Sequence, residues 1–218
     1  MMNLKSFATA VAIAACASFG ALAAHAGTPA LSYSANTGDS LGNPPFTLGW
    51  AFSVNSAVKV DSLGFFDDSL DGLADSHQIG LWDSAGDLLA SATVDAGTTD
   101  TLIDNFRYVS IAPVGLATGD YFIGALVLDG SDPVVFPGDG GVTTTDAAVT
   151  YEGATFAGGG TLADPTIVIP MNQPGYFGPN FTLISTVPEP ASWAVMLGGF
   201  GAIGASMRRR RQRAAATA

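Results

Sequence analysis

Apolar and polar positions alternate in short runs through most of the chain, and only the two ends depart from that rhythm. Between residues 27 and 186 no helical periodicity persists. Instead, runs rich in Val, Ile, Phe, Tyr and Thr occupy 46–54, 57–66, 78–82, 87–94, 107–112, 121–128, 147–151, 166–169 and 181–185. Branched and aromatic side chains suit a pleated, half-buried surface, so each run predicts a strand. Turn-forming clusters separate them, among them Ser84-Ala85-Gly86-Asp87, Thr118-Gly119-Asp120, Asp129-Gly130 and Pro137-Gly138-Asp139-Gly140-Gly141. Strands this short, spaced by turns, predict an all-β fold: an antiparallel β-sandwich of jelly-roll or immunoglobulin-like type. No internal repeat interrupts the pattern.

The N-terminal departure is an apolar, Ala-dominated run over 6–24, preceded by a short segment with one positive charge, Lys5. Ala24-His25-Ala26 follows as a small-x-small cleavage site, so residues 1–26 read as a signal peptide with Ala24 and Ala26 as its cleavage residues. Small side chains are required there because the peptidase pockets at those two positions are shallow. Ile13-Ala14-Ala15-Cys16 also resembles a lipobox, but an apolar stretch follows Cys16 where a polar tether is expected. Cys16 is the chain's only cysteine, so the body has no disulfide and draws its stability from burial.

The C-terminal departure has three parts. Val187-Pro188-Glu189-Pro190 breaks regular structure twice, since neither proline donates a backbone hydrogen bond. Residues 191–207 then run without a charge, and Arg208, Arg209, Arg210, Arg211 and Arg213 follow at once. As a helix the apolar run is ~25 Å long, short for a bilayer core unless its flanks snorkel. It predicts a single transmembrane helix, oriented by the arginines with its C-terminal end in the cytoplasm and the body outside. Trp193 falls near the outer interface, and the glycines at 198, 199, 201 and 204 fit a membrane helix better than a water-exposed one.

Taken together, the proline-flanked Glu189, the short apolar helix and the arginine cluster resemble the PEP-CTERM sorting signal over residues 187–213. The resemblance implies that an exosortase-type membrane protease recognises Pro188, Glu189 and Pro190. It also implies an inner-membrane-anchored precursor in a Gram-negative bacterium that makes exopolysaccharide and biofilm matrix, followed by surface display or release. The stretch 50–124 resembles a β-sandwich domain of unknown function from secreted bacterial proteins. Leu63-Gly64-Phe65-Phe66-Asp67, Ile79-Gly80-Leu81-Trp82-Asp83, Gly86, Leu88-Leu89-Ala90 and Phe106-Arg107-Tyr108 carry that likeness. The domain organisation read from the sequence is therefore a signal peptide at 1–26, a β-sandwich at 27–186 and a sorting signal at 187–213.

Charge sharpens the functional reading. The body holds two basic residues, Lys59 and Arg107, against eighteen acidic ones, a formal charge of −16. That field repels phosphate backbones, so no nucleic-acid partner is expected, and it keeps an exported β protein soluble. Catalytic chemistry has little to draw on. His77 is the body's only histidine, it reads as a solvated loop residue, and its sequence neighbours Asp75 and Ser76 cannot face it in triad geometry. No nucleophile elbow, zinc-protease, phosphate-loop or dinucleotide motif is present. No catalytic residue is assigned and no enzymatic activity is expected.

Two ligand sites remain to be tested. In the loop 67–75, Asp67, Ser69, Asp71, Gly72 and Asp75 match the early positions of a calcium loop, although Gln78 stands where a bidentate glutamate belongs and strands flank it. Asp67, Asp71 and Asp75 are thus the candidate ligands for a structural Ca²⁺, and no other cofactor is expected. Trp50, Trp82 and the tyrosines are candidates for a sugar-stacking platform, set against the commoner role of strand aromatics as core. The expected function is a non-enzymatic surface or matrix protein associated with exopolysaccharide. The alternative is a carbohydrate-binding module or weak glycan-active enzyme on the same sandwich.

Overall fold

The computed structural model describes residues 27–40, 44–136, 140–169, 175–184 and Phe200. The predicted signal helix lies outside these residues, as does the predicted transmembrane helix 191–207 except for Phe200, which is helical. Between residues 27 and 184 the regular elements are strands apart from one short 3₁₀ turn, Asp68–Leu70. No helix among the described residues is long and apolar enough to cross a membrane.

The strands run β1 (Thr28–Pro29), β2 (Leu31–Tyr33), β3 (Phe46–Val54), β4 (Val58–Phe66), β5 (His77–Asp83), β6 (Leu88–Val94) and β7 (Thr101–Ile103). They continue as β8 (Phe106–Leu116), β9 (Gly119–Val127), β10 (Thr143–Thr145), β11 (Val149–Gly158), β12 (Ile167–Ile169) and β13 (Pro179–Ile184). All pairings are antiparallel, in a five-stranded sheet β1-β13-β4-β8-β7, a six-stranded sheet β12-β11-β3-β9-β5-β6 and a ribbon β10-β2. With β7 at one edge and the β12–β11 pair at another set aside, the two large sheets read β1-β13-β4-β8 and β3-β9-β5-β6. Those are the interleaved Greek keys of a jelly roll, which settles the choice left open by the strand pattern.

Period-two burial builds the core. Leu63, Phe65, Phe181 and Leu183 of the five-stranded sheet face Trp50, Phe52, Ile79, Leu81 and Ile123 of the other, all buried. Trp50 ties the sheets together. Its ring stacks on Phe181 at 5.7 Å, and its indole N–H donates across the gap to the Pro179 carbonyl at 2.9 Å. That bond leaves no buried donor unpaired on the largest side chain of the core.

Each outer face is covered in part. The β2–β10 ribbon lies over the five-stranded sheet, where Tyr33 meets Phe66 edge-on and Asn180 donates to the Leu31 carbonyl at 2.7 Å. On the six-stranded sheet, Gly80, Gly124 and Gly49 stand side by side on adjacent strands. The Trp82 indole lies across Gly80, where a Cβ would come 2.3 Å from the ring, and Pro165 sits over Gly124. The segment carrying Pro165 is pinned by the Ala163 N–H, which donates to Thr47 Oγ1 at 3.0 Å.

Candidate functional site

One end of the sandwich concentrates the buried ionisable groups, and the loop 67–76 between β4 and β5 closes it. Phe65 is the hub. It stacks on the His77 ring across the sheets, with centroids 3.7 Å apart and planes 8° from parallel, and on its own sheet it pairs with Arg107. Two ion pairs flank it.

In the first, Arg107 Nε donates to Asp67 Oδ2 at 2.7 Å, while its NH1 donates to the carbonyls of Thr98 at 3.1 Å and Asp100 at 3.2 Å. Asp67 is wholly buried, and its other oxygen accepts the Gly72 N–H at 3.0 Å. The carboxylate therefore folds its own loop back while neutralising the only arginine of the body. Gly72 holds a φ of +107°, and a Cβ there would press on Gly97, so this turn is restricted to glycine.

The second pair joins His77 to Asp132, Nε2 to Oδ2 at 2.8 Å, with the His77 Nδ1 3.3 Å from the Leu126 carbonyl. Asp132 also accepts the backbone N–H groups of Ala74 at 2.8 Å and Asp75 at 2.9 Å. Burial alone would raise its carboxyl, but the hydrogen bonds from His77 and the two amides win and hold it below the ordinary carboxylate range.

The structure revises the sequence reading of His77. It is the first residue of β5, only 4% exposed, and not a solvated loop residue. Its partner lies 55 positions along the chain in the loop after β9, beyond the reach of any local signal. A His–Asp pair resembles the base and orienter of a triad, yet both ring nitrogens already face acceptors and an aromatic ring covers one face. Neither nitrogen is free to take a proton from a nucleophile. The arrangement works as a clamp between the loops 67–76 and 128–136.

The calcium candidates do not converge. Asp67 is committed to Arg107 and Gly72, Asp71 is exposed, and Asp75 accepts the Ser131 hydroxyl at 2.7 Å. Among the described residues no three His, Cys, Asp or Glu side chains lie together to hold a metal ion. Trp50 and Trp82 are both buried, at 0% and 4% exposure, so neither offers a ring to a sugar. The remaining sequence-predicted site residues lie outside the described ones: Ala24 and Ala26, Pro188, Glu189 and Pro190, and Arg208, Arg209, Arg210, Arg211 and Arg213.

Comparison with known families gives two matches. The family described as Domain of unknown function (DUF4082) matches residues 32–168, and the PEP-CTERM protein-sorting motif matches residues 186–211. Neither a curated protein nor a solved structure matches the chain.

Proposed function

The chain belongs to the DUF4082 family and ends in a PEP-CTERM protein-sorting motif, and from that premise we propose that it is a non-enzymatic surface or matrix protein associated with exopolysaccharide. The motif marks an exported protein whose membrane-anchored precursor is processed by an exosortase-type enzyme. The observation that carries the non-enzymatic reading is the use made of the body's reactive groups. Its one histidine and its one arginine are buried, each bonded to an aspartate that also fastens a loop. The acidic surface that remains suits a solvated outer layer.

Processing tests the sorting step. The two prolines keep the recognised segment from joining the apolar helix that follows, which leaves it open to a protease at the membrane edge. With Pro188→Ala and Pro190→Ala together in an exosortase-positive host, the full-length precursor is expected to accumulate in the membrane fraction. Processing of that variant at the normal rate removes the sorting assignment. The matrix role is tested on the processed protein, which is expected to cofractionate with extracted extracellular polysaccharide and to leave the cells when polysaccharide synthesis is deleted.

A further inference from the structure

Gly27 is buried at the start of the described fold, just before β1, and its surroundings are specific. A Cβ built on it would stand 2.6 Å from Asp61 Oδ1, 2.8 Å from Thr182 Cβ and 3.0 Å from Thr182 Oγ1. Thr182, on strand β13 between β1 and β4, is itself buried and donates its hydroxyl to Asp61 Oδ1 at 2.5 Å. A carbon in that position is excluded by contact. The distances to the two oxygens suit a hydrogen-bond donor, and a positively charged one beside a carboxylate, once it stands a few tenths of an ångström farther from Thr182 Cβ.

Residue 27 is also where the sequence places the cut. Cleavage after Ala26 hydrolyses the 26–27 peptide bond: water supplies the hydroxyl of the leaving carboxylate, and Gly27 keeps the nitrogen as a primary ammonium. Before the cut that nitrogen is a neutral amide held by the chain ahead of it. Afterwards rotation about the Gly27 Cα–C bond is free, and a turn of about 120° exchanges the nitrogen with a hydrogen on the same tetrahedral carbon. Glycine is required in the precursor, where any other residue would carry a Cβ against Asp61 and Thr182.

We propose that Asp61 and Thr182 form a receptor for the α-ammonium of Gly27 that signal-peptide removal creates. The ammonium donates to Asp61 Oδ1 and to the Thr182 hydroxyl oxygen, locking β1 onto β13 in the mature protein and not in the precursor. The proposal rests on the signal-peptide reading and adds a consequence for the fold: leader removal completes the sandwich edge as well as freeing the chain.

The test uses the exported protein purified from its host. Intact-mass and N-terminal analysis first establish the terminal residue. The processed chain has two amines, the Gly27 terminus and Lys59, because Lys5 leaves with the leader. Lys59 is exposed and serves as an internal reference for acylation near neutral pH. Ion pairing is expected to slow acylation of the terminus by roughly three- to ten-fold relative to the Asp61→Asn variant. Once acetylated, the parent is expected to melt roughly 2–4 °C lower, while the melting point of Asp61→Asn stays unchanged on acetylation. A terminus other than Gly27 overturns the proposal together with the cleavage site. Equal acylation rates in parent and variant overturn the receptor alone and leave the cleavage site standing.

Discussion

Replacing Arg107 with methionine tests the buried end of the sandwich most directly. The substitution keeps most of the aliphatic volume and removes the charge, so its effect reports on what Asp67 loses. Asp67 is wholly buried, and of the two donors bonded to its carboxylate only the Gly72 backbone N–H would remain. Stripping one partner from a buried ion pair costs roughly 3–5 kcal/mol, most of it from the charge left behind. For a domain of this size that lowers the melting temperature by on the order of 10 °C. The double variant Arg107→Met with Asp67→Leu removes both charges. It still forfeits the bonds to Thr98, Asp100 and Gly72, worth about 1 kcal/mol each at most, since Thr98 is exposed and its carbonyl can turn to water. The double variant is therefore expected to be more stable than Arg107→Met alone by roughly 2–3 kcal/mol, read from urea unfolding of the purified protein. A double variant as unstable as the single, or less stable, would show that the pair does not carry the energy assigned to it.

The second ion pair predicts acid behaviour. The Asp132 carboxyl is held low in the folded state by His77 and two amides, so its contribution is fully present above the unfolded carboxylate pKa and is lost as pH falls through the folded one. Asp132→Asn is expected to flatten the acid limb of a stability-against-pH curve while lowering stability at neutral pH; an acid limb identical to the parent's refutes the assignment. Because Asp67 is committed to Arg107 and Asp71 is exposed, thermal melts in millimolar Ca²⁺ and in chelator are expected to coincide. A rise of several degrees with Ca²⁺ that Asp71→Asn and Asp75→Asn abolish would restore the loop as a metal site.

Most long strands of the two large sheets were legible because their side chains announce a pleated surface. The run 46–54 coincides with β3, and β4, β5, β6 and β9 begin or end within two residues of their predicted limits, whereas β8 and β11 continue past the predicted ends at 112 and 151 to Leu116 and Gly158. The short strands β1, β2, β7 and β10 escaped. Thr-Pro, Leu-Ser-Tyr, Thr-Leu-Ile and Thr-Thr-Thr are too brief to show alternation, and they become strands only because a longer partner offers them a ladder. Asp67 was noticed for its charge and its neighbours, which fit a metal loop; Arg107, 40 positions away, decides its role, and only the fold brings it there. His77 went astray for the same reason. Trp82, a candidate sugar platform set against a place in the core, is buried on the sheet's outer side, where Gly80 makes room for the indole. Local sequence marks what a residue is suited to, and long-range pairing decides which of those uses is taken.

The pairing of β1 with β13 has a mechanical meaning. Thr28 stands opposite Leu183, so the first and last described strands lie side by side and the chain enters and leaves the sandwich at one pole. A leader ahead of Gly27 and an anchor behind Ile184 would moor the body from that single point, both lines running the same way, with the opposite pole free to face outward. Pro188 lies four residues past Ile184, at most ~14 Å of extended chain, so an anchor beginning there would hold a precursor close against the bilayer without bending the sheet. Cutting either line removes no rung from the ladder between them.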